Sequence, residues 1–166
     1  MSALRWWAGR TRQFIRYVTG RVTTAERESL RSWLTAQQLA LFDSMHRADR
    51  RHGLDVVAML RREAHTDADL LLAGLLHDSG KGRDLHVWHR VAWSLGERHG
   101  ERVRNAFESL PTFRRAFATI ATHAEVSADL ALAAGCSERC AELIRHQAAP
   151  VDQELGVALQ LADEAS

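Results

Sequence analysis

Residues 70–81 read LLLAGLLHDSGK, and the interpretation of the whole chain starts from this stretch. Its first seven residues are apolar, which predicts a buried helix. His77 and Asp78 follow directly. An imidazole beside a carboxylate at the end of a buried helix is costly unless something replaces the lost water. A metal ion would stabilise both groups, provided that other elements of the fold supply further ligands.

Helical patterns cover most of the remaining chain. Helix formers dominate, only two prolines occur, and no alternation of apolar and polar residues is long enough for a strand. Thr23, Thr66 and Ser137 are predicted N-caps, and Pro111 suits a first helical turn. These signals predict an all-α fold, a compact helical bundle, with helices near residues 3–19, 24–33, 35–46, 48–64, 67–78, 86–99, 101–109, 112–121, 125–134, 137–148 and 153–165.

Two other helices carry candidate ligands. His52 lies near the start of a predicted helix with an apolar inner face, and Asp163 is a carboxylate on an otherwise apolar helix. The order His, His-Asp, Asp with these flanks resembles the HD superfamily of metal-dependent phosphohydrolases. Its second motif is commonly His-Asp, then Ile or Val, then Gly and Lys, so that only Ser79 departs from it. Val56, four residues after His52, also fits the family.

The resemblance covers residues 46–166. It implies an HD-type phosphohydrolase domain over these residues. The composition and helical pattern of residues 1–45 predict a basic, aromatic, helical N-terminal extension packed on the core. The resemblance also implies that one metal ion is held by His52, His77, Asp78 and Asp163.

Two more histidines resemble a subgroup of the family that includes cyclic-dinucleotide phosphodiesterases and dinucleoside-tetraphosphate hydrolases. In this subgroup a His opens one helix, a Gly caps its end and another His closes the next helix, as His123, Gly135 and His146 do here. The resemblance implies a second ion held with His123 and His146, with Asp78 bridging the pair. Gln147 stands where some members have a second His. The Gly-Tyr-Pro signature of cyclic-di-GMP phosphodiesterases is absent, which argues against that substrate.

The implied activity is hydrolysis of a phosphomonoester, phosphodiester or phosphoanhydride, with a nucleotide as the favoured small phosphorylated substrate. Imidazole and carboxylate ligands suit Mn²⁺, Fe²⁺, Zn²⁺ or, less well, Mg²⁺. Water bound to such an ion, with its pKa lowered to about 7, would attack phosphorus. Asp78 and Lys81 are the candidate catalytic residues, because an ammonium three residues after Asp78 can reach a non-bridging phosphate oxygen.

Basic and acidic residues are nearly equal in number but are distributed unevenly along the chain. The 22 basic and 21 acidic residues give a formal net charge of +1, which argues against binding of nucleic acid or anionic lipid by the protein surface as a whole. Residues 1–22 hold five arginines, several aromatic residues and no acidic residue. Membrane or nucleic-acid contact fits such a stretch, but packing on the core or in a homodimer is favoured, since five charges are few.

The cysteines, the apolar runs and the first residues of the chain bear on the class of protein and on its location. Cys136 and Cys140 lack the spacing of a disulfide framework or zinc site and are expected to be half-buried helix residues. The longest apolar run is far shorter than the ~20 residues of a membrane span. The first residues do not resemble a signal peptide, so cytoplasmic residence is expected. A non-catalytic regulatory or interaction module on an HD-type scaffold is the rival interpretation. The complete set of four ligands argues against it.

Overall fold

The computed structural model describes residues 20–82, 100, 105–107 and 109–166, and within them it is all-α, as the sequence predicts. The predicted helices over 3–19 and 86–99, and most of that over 101–109, lie outside the described residues. In chain order the elements are α1 (Thr24–Leu30), α2 (Ala36–Ser44), α3 (Arg47–Arg62), α4 (Ala68–Leu76), a 3-10 turn (Ser79–Lys81), α5 (Pro111–Ala133), α6 (Glu138–Arg145) and α7 (Leu155–Ala165).

The helix starts follow local hydrogen bonding. Thr23 and Glu26 form a capping box on α1, and Ser137 caps α6 by accepting from the Cys140 N–H, so both predictions are confirmed. The prediction that Thr66 caps α4 is wrong by one residue. Asp67 takes that position, because its carboxylate accepts a hydrogen bond from the Leu70 N–H at 3.0 Å.

Helix α4 lies at the centre of the described fold. It packs against α2, α3, α6 and α7, and Leu70, Leu75 and Leu76 are fully buried. Burial of a leucine side chain is worth about 1.5–3 kcal/mol, so this short helix is held mainly by its apolar surface. The end of α4 therefore delivers His77 and Asp78 into the interior.

Helix α5 is one continuous element of 23 residues, whereas the sequence predicts two helices near 112–121 and 125–134. The prediction of a break is wrong because residues 121–125 contain neither glycine nor proline. The helix ends only before Gly135, whose φ of +79° suits glycine. His123 therefore lies inside a helix and does not open one.

The described part of the predicted N-terminal extension shares the main core. Leu30, Phe42 and Met45 belong to the same buried cluster as Leu70 and Leu159. Cys136 and Cys140 are free and are buried, more deeply than predicted. None of the described helices is both long enough and apolar enough to cross a bilayer.

Candidate metal centre

A close crossing of α3 and α4 brings two histidines together. Gly53 makes it possible, because a Cβ at this position would lie 2.4 Å from the carbonyl oxygen of Leu75. The neighbouring His52 ring consequently lies 5.2 Å from the His77 ring, centroid to centroid. A glycine in the interior of a helix costs about 1 kcal/mol relative to alanine, so its presence beside His52 was a usable sign of close contact.

Helix α7 completes a group of three. The Nε2 of His52 lies 2.6 Å from Oδ1 of Asp163, and the Nε2 of His77 lies 3.5 Å from the same oxygen. The ligand atoms of His52, His77 and Asp163 all lie within 4.8 Å of one another. Two imidazole nitrogens and one carboxylate oxygen at this spacing could hold a metal ion.

Asp78 and His123 lie beside this group. Oδ1 of Asp78 is 3.5 Å from Nε2 of His77 and 3.7 Å from Nε2 of His123. The Asp78 side chain is almost completely buried. It connects the three-residue group of α3, α4 and α7 with His123 on α5, so five of the six predicted ligands lie together.

Lys81 pairs directly with Asp78. Its Nζ lies 2.6 Å from both carboxylate oxygens of Asp78. The sequence predicts an ammonium free to reach a phosphate oxygen, whereas here it neutralises a candidate ligand. The Lys81 side chain is 18% exposed, so it extends from the buried carboxylate toward solvent.

Backbone carbonyls fix the orientation of two histidine rings. Nδ1 of His77 donates to the Gly74 carbonyl at 3.0 Å, and Nδ1 of His123 donates to the Ile120 carbonyl at 2.6 Å. A carbonyl oxygen only accepts, so Nδ1 carries a hydrogen in both rings. Nε2 is thereby directed at the carboxylates, the arrangement by which proteins orient metal-ligating histidines.

The surroundings of His77 and His123 shift the pKa values of the two imidazoles in opposite directions. Burial alone would lower the pKa of His77, but the charges of Asp78 and Asp163 and a hydrogen bond to Asp163 raise it to about 9. Burial and the charge of Lys81 lower the pKa of His123. Burial opposes ionisation of Asp163, yet its hydrogen bonds with His52 and His77 hold its pKa well below the usual range. A metal ion would replace the Nε2 proton of His77.

His146 is not part of the group formed by His52, His77 and Asp163. Its Nε2 is 3.3 Å from Oε2 of Glu142, and its side chain is 40% exposed. It lines a surface depression with Pro150 and Val151. The carboxylate that faces His146 is thus that of Glu142 on α6, the helix that His146 caps, and the role of His146 as a ligand gains no support from this geometry.

Sequence reasoning missed two residues that contact the centre through its backbone. Gln147 is buried, and its Nε2 donates to the His77 carbonyl at 3.3 Å. Ser127 accepts a hydrogen bond from the Gly80 N–H at 2.8 Å. Its position one helical turn after His123 was the available signal, since residues i and i+4 share a helix face.

Comparison of the chain with protein-family models, with curated proteins and with solved structures finds no significant match. The resemblance to the HD superfamily therefore rests on the residues of this chain.

Proposed function

We propose that this protein is an HD-type metal-dependent phosphohydrolase that cleaves a phosphate ester or anhydride bond of a nucleotide. The observation that carries the proposal is the meeting of His52, His77 and Asp163, whose ligand atoms lie within 4.8 Å of one another. These residues come from α3, from the C-terminal cap of α4 and from α7. His77 is buried, and two imidazole nitrogens and a carboxylate oxygen at this spacing are a donor set that suits a divalent metal ion, which supports a metal site.

His52, His77, Asp78 and Asp163 would hold the first divalent ion, and Asp78 with His123 would contribute to a second. His146 remains a predicted ligand of the second ion. Nitrogen and oxygen donors of this kind suit Mn²⁺, Fe²⁺ or Zn²⁺, and Mg²⁺ less well. When bound, the metal supplies a water of lowered pKa as the nucleophile.

Lys81 is the proposed phosphate-binding side chain. Its ammonium group lies 2.6 Å from both carboxylate oxygens of Asp78, and its side chain is partly exposed to solvent. A cation that neutralises Asp78 can turn toward a phosphate oxygen once Asp78 binds metal, because the carboxylate then has another positive partner. The ammonium would stabilise charge that develops on the phosphate in the transition state.

Metal content and turnover of the full-length protein test the proposal together. We expect purified protein to contain a divalent metal and to hydrolyse at least one member of a panel of para-nitrophenyl phosphate, bis-para-nitrophenyl phosphate and nucleoside mono-, di- and triphosphates. The Asp78→Ala variant should lose at least about a hundredfold in turnover, since ligands of catalytic metals contribute several kcal/mol. His65→Ala is the matched control, because His65 follows α3 outside the metal centre.

The outcomes separate the two interpretations of the fold. Unchanged turnover in Asp78→Ala contradicts the proposal, as does wild-type protein that binds no metal. Wild-type protein that binds metal but hydrolyses no compound of the panel would favour the non-catalytic regulatory module.

A further inference from the structure

The 3-10 turn over Ser79–Lys81 joins the two sides of the candidate metal centre. Asp78 precedes the turn, and its side chain forms no capping hydrogen bond within it. The Gly80 N–H instead donates to the hydroxyl oxygen of Ser127 at 2.8 Å. Ser127 lies on α5 and is fully buried. The turn is therefore capped by a side chain from another helix.

Gly80 also lies directly against the backbone of α5. A Cβ at this position would be 2.5 Å from the carbonyl oxygen of His123 and 2.7 Å from the backbone nitrogen of Ser127. The turn thus contacts one specific helical turn of α5, that between His123 and Ser127. Because residues i and i+4 share a helix face, the imidazole of His123 projects from the face that Gly80 contacts.

The same contact sets the spacing of the groups around Asp78. Asp78 immediately precedes the turn, and Lys81 is its last residue. Oδ1 of Asp78 is 3.7 Å from Nε2 of His123, and Nζ of Lys81 is 2.6 Å from the same oxygen. A shift of the turn along α5 would move Lys81, the last residue of the turn, more than Asp78, which directly follows the His77 cap of the buried helix α4.

We infer that Ser127 is a positioning residue for this centre, which holds Lys81 in the place where a phosphate group binds. The inference rests on the proposed function, because phosphate is the ligand proposed for Lys81. Ser127 acts through the Gly80 N–H and is not itself one of the candidate metal ligands. Its removal should therefore weaken phosphate binding more than metal binding.

Calorimetric titration of the full-length protein tests this inference, first with Mn²⁺ and then with inorganic phosphate added to the Mn²⁺-loaded protein. For Ser127→Ala we expect Mn²⁺ affinity within about twofold of wild type and phosphate affinity weaker by roughly tenfold, the effect of losing one buried hydrogen bond. Ser127→Cys keeps the size of the side chain with a weaker acceptor and should fall between the two. It also serves if the alanine variant does not fold.

Thr119→Ala is the matched control, because Thr119 lies on the same helix and its hydroxyl donates to the Arg115 carbonyl of that helix. Its affinities should equal those of wild type. Wild-type phosphate affinity in Ser127→Ala and Ser127→Cys would overturn the inference and leave the proposed function standing. Equal losses of Mn²⁺ and phosphate affinity would overturn it too, since they indicate general disruption. Wild-type protein that binds no Mn²⁺ would overturn both proposals.

Discussion

Ser79 is the residue at which this chain departs from the HD-type motif, and its hydroxyl is in a costly position. Among the residues that the structure describes, Oγ of Ser79 is buried and has no hydrogen-bond partner. A buried hydroxyl without a partner costs about 1–3 kcal/mol. The Ile or Val usual at this place of the HD-type motif, which the stretch resembles, would avoid that cost.

Ser79→Ala should accordingly raise the free energy of unfolding by about 1–2 kcal/mol, because it removes the unsatisfied oxygen without adding bulk. Urea denaturation followed by circular dichroism measures the change. Ser127→Ala is a control in which the change should have the opposite sign. It removes a hydroxyl that accepts a hydrogen bond from the Gly80 N–H, so it should lower the free energy of unfolding. A loss of stability in Ser79→Ala would show that its hydroxyl is satisfied in solution.

At the scale of single residues, the sequence points to candidate ligands more readily than to the residues that support them. His77 and Asp78 were recognisable because a polar pair follows an apolar run. Gln147 was not recognisable, because its bond to the His77 carbonyl joins residues 70 positions apart and depends on how α6 packs. His146, beside it, fits the pattern of the subgroup, yet its side chain contacts Glu142.

At the scale of elements, the crossing of α3 over α4 sets the geometry of the centre. Gly53 lets the two backbones approach, and a methyl group there would collide with the Leu75 carbonyl, which is backbone and cannot move aside easily. The separation of these helices therefore determines whether His52 and His77 can share an ion.

Gly53→Ala should destabilise the protein by about 1–3 kcal/mol, since overpacking outweighs the gain of about 1 kcal/mol in helix propensity. It should also reduce the content of bound metal by displacing His52. Denaturant unfolding and elemental analysis measure the two effects.

Ala58→Gly is the control for this variant, because Ala58 is exposed on the same helix. It should lose about 1 kcal/mol of stability from helix propensity and keep its metal. A Gly53→Ala variant as stable as wild type would contradict the close crossing.

The helices could be predicted from sequence where the signals are local. Capping boxes and apolar runs depend on residues a few positions apart, which explains the correct starts of α1 and α6. The predicted break in α5 coincides with the polar residues Thr122 and His123. Thr122 is accommodated in the helix because its hydroxyl donates to the Ala118 carbonyl at 3.0 Å. Polarity alone does not end a helix.

At the scale of the whole molecule, Glu26 connects α1 by a hydrogen bond to α3, the helix that carries His52. Its carboxylate accepts from Arg51 at 2.6 Å and from the Thr23 N–H at 2.9 Å. The hydrogen bond from Arg51, followed by that from Thr23, lowers the pKa of Glu26 from 4.5 to about 2. Stability from this carboxylate is complete above pH 4.5 and is lost as the pH falls toward 2.

Glu26→Gln should therefore be less stable than wild type at pH 7, and the difference should shrink as the pH falls from about 4.5 to about 2. Glutamine keeps the capping box, so the comparison isolates the charge. Urea unfolding at a series of pH values provides the measurement. Glu28→Gln, which alters an exposed pair with Arg31, should show a smaller difference. A difference for Glu26→Gln that does not change with pH would contradict the role of its charge.

Metal binding should stabilise the whole fold, because the candidate ligands join α3, α4 and α7. At a free Mn²⁺ concentration of 100 times its dissociation constant, the gain is about 2.7 kcal/mol, or about 5–10 °C in Tm for a domain of this size. Thermal unfolding with Mn²⁺ and with EDTA measures the shift. His52→Ala should abolish it and His65→Ala should retain it. An equal shift in His52→Ala would exclude His52 as a ligand.

The contact between His52 and Asp163 also bears on the order of folding events. These two residues are 111 positions apart, and the loop between them is closed only when α7 docks on α3. Contacts of such long range pay a large loop-closure entropy and tend to form late. During synthesis, a ribosome must have translated almost all of this sequence before an ion could meet the three candidate ligands. Nascent chains would thus stay unmetallated until the last described helix emerges.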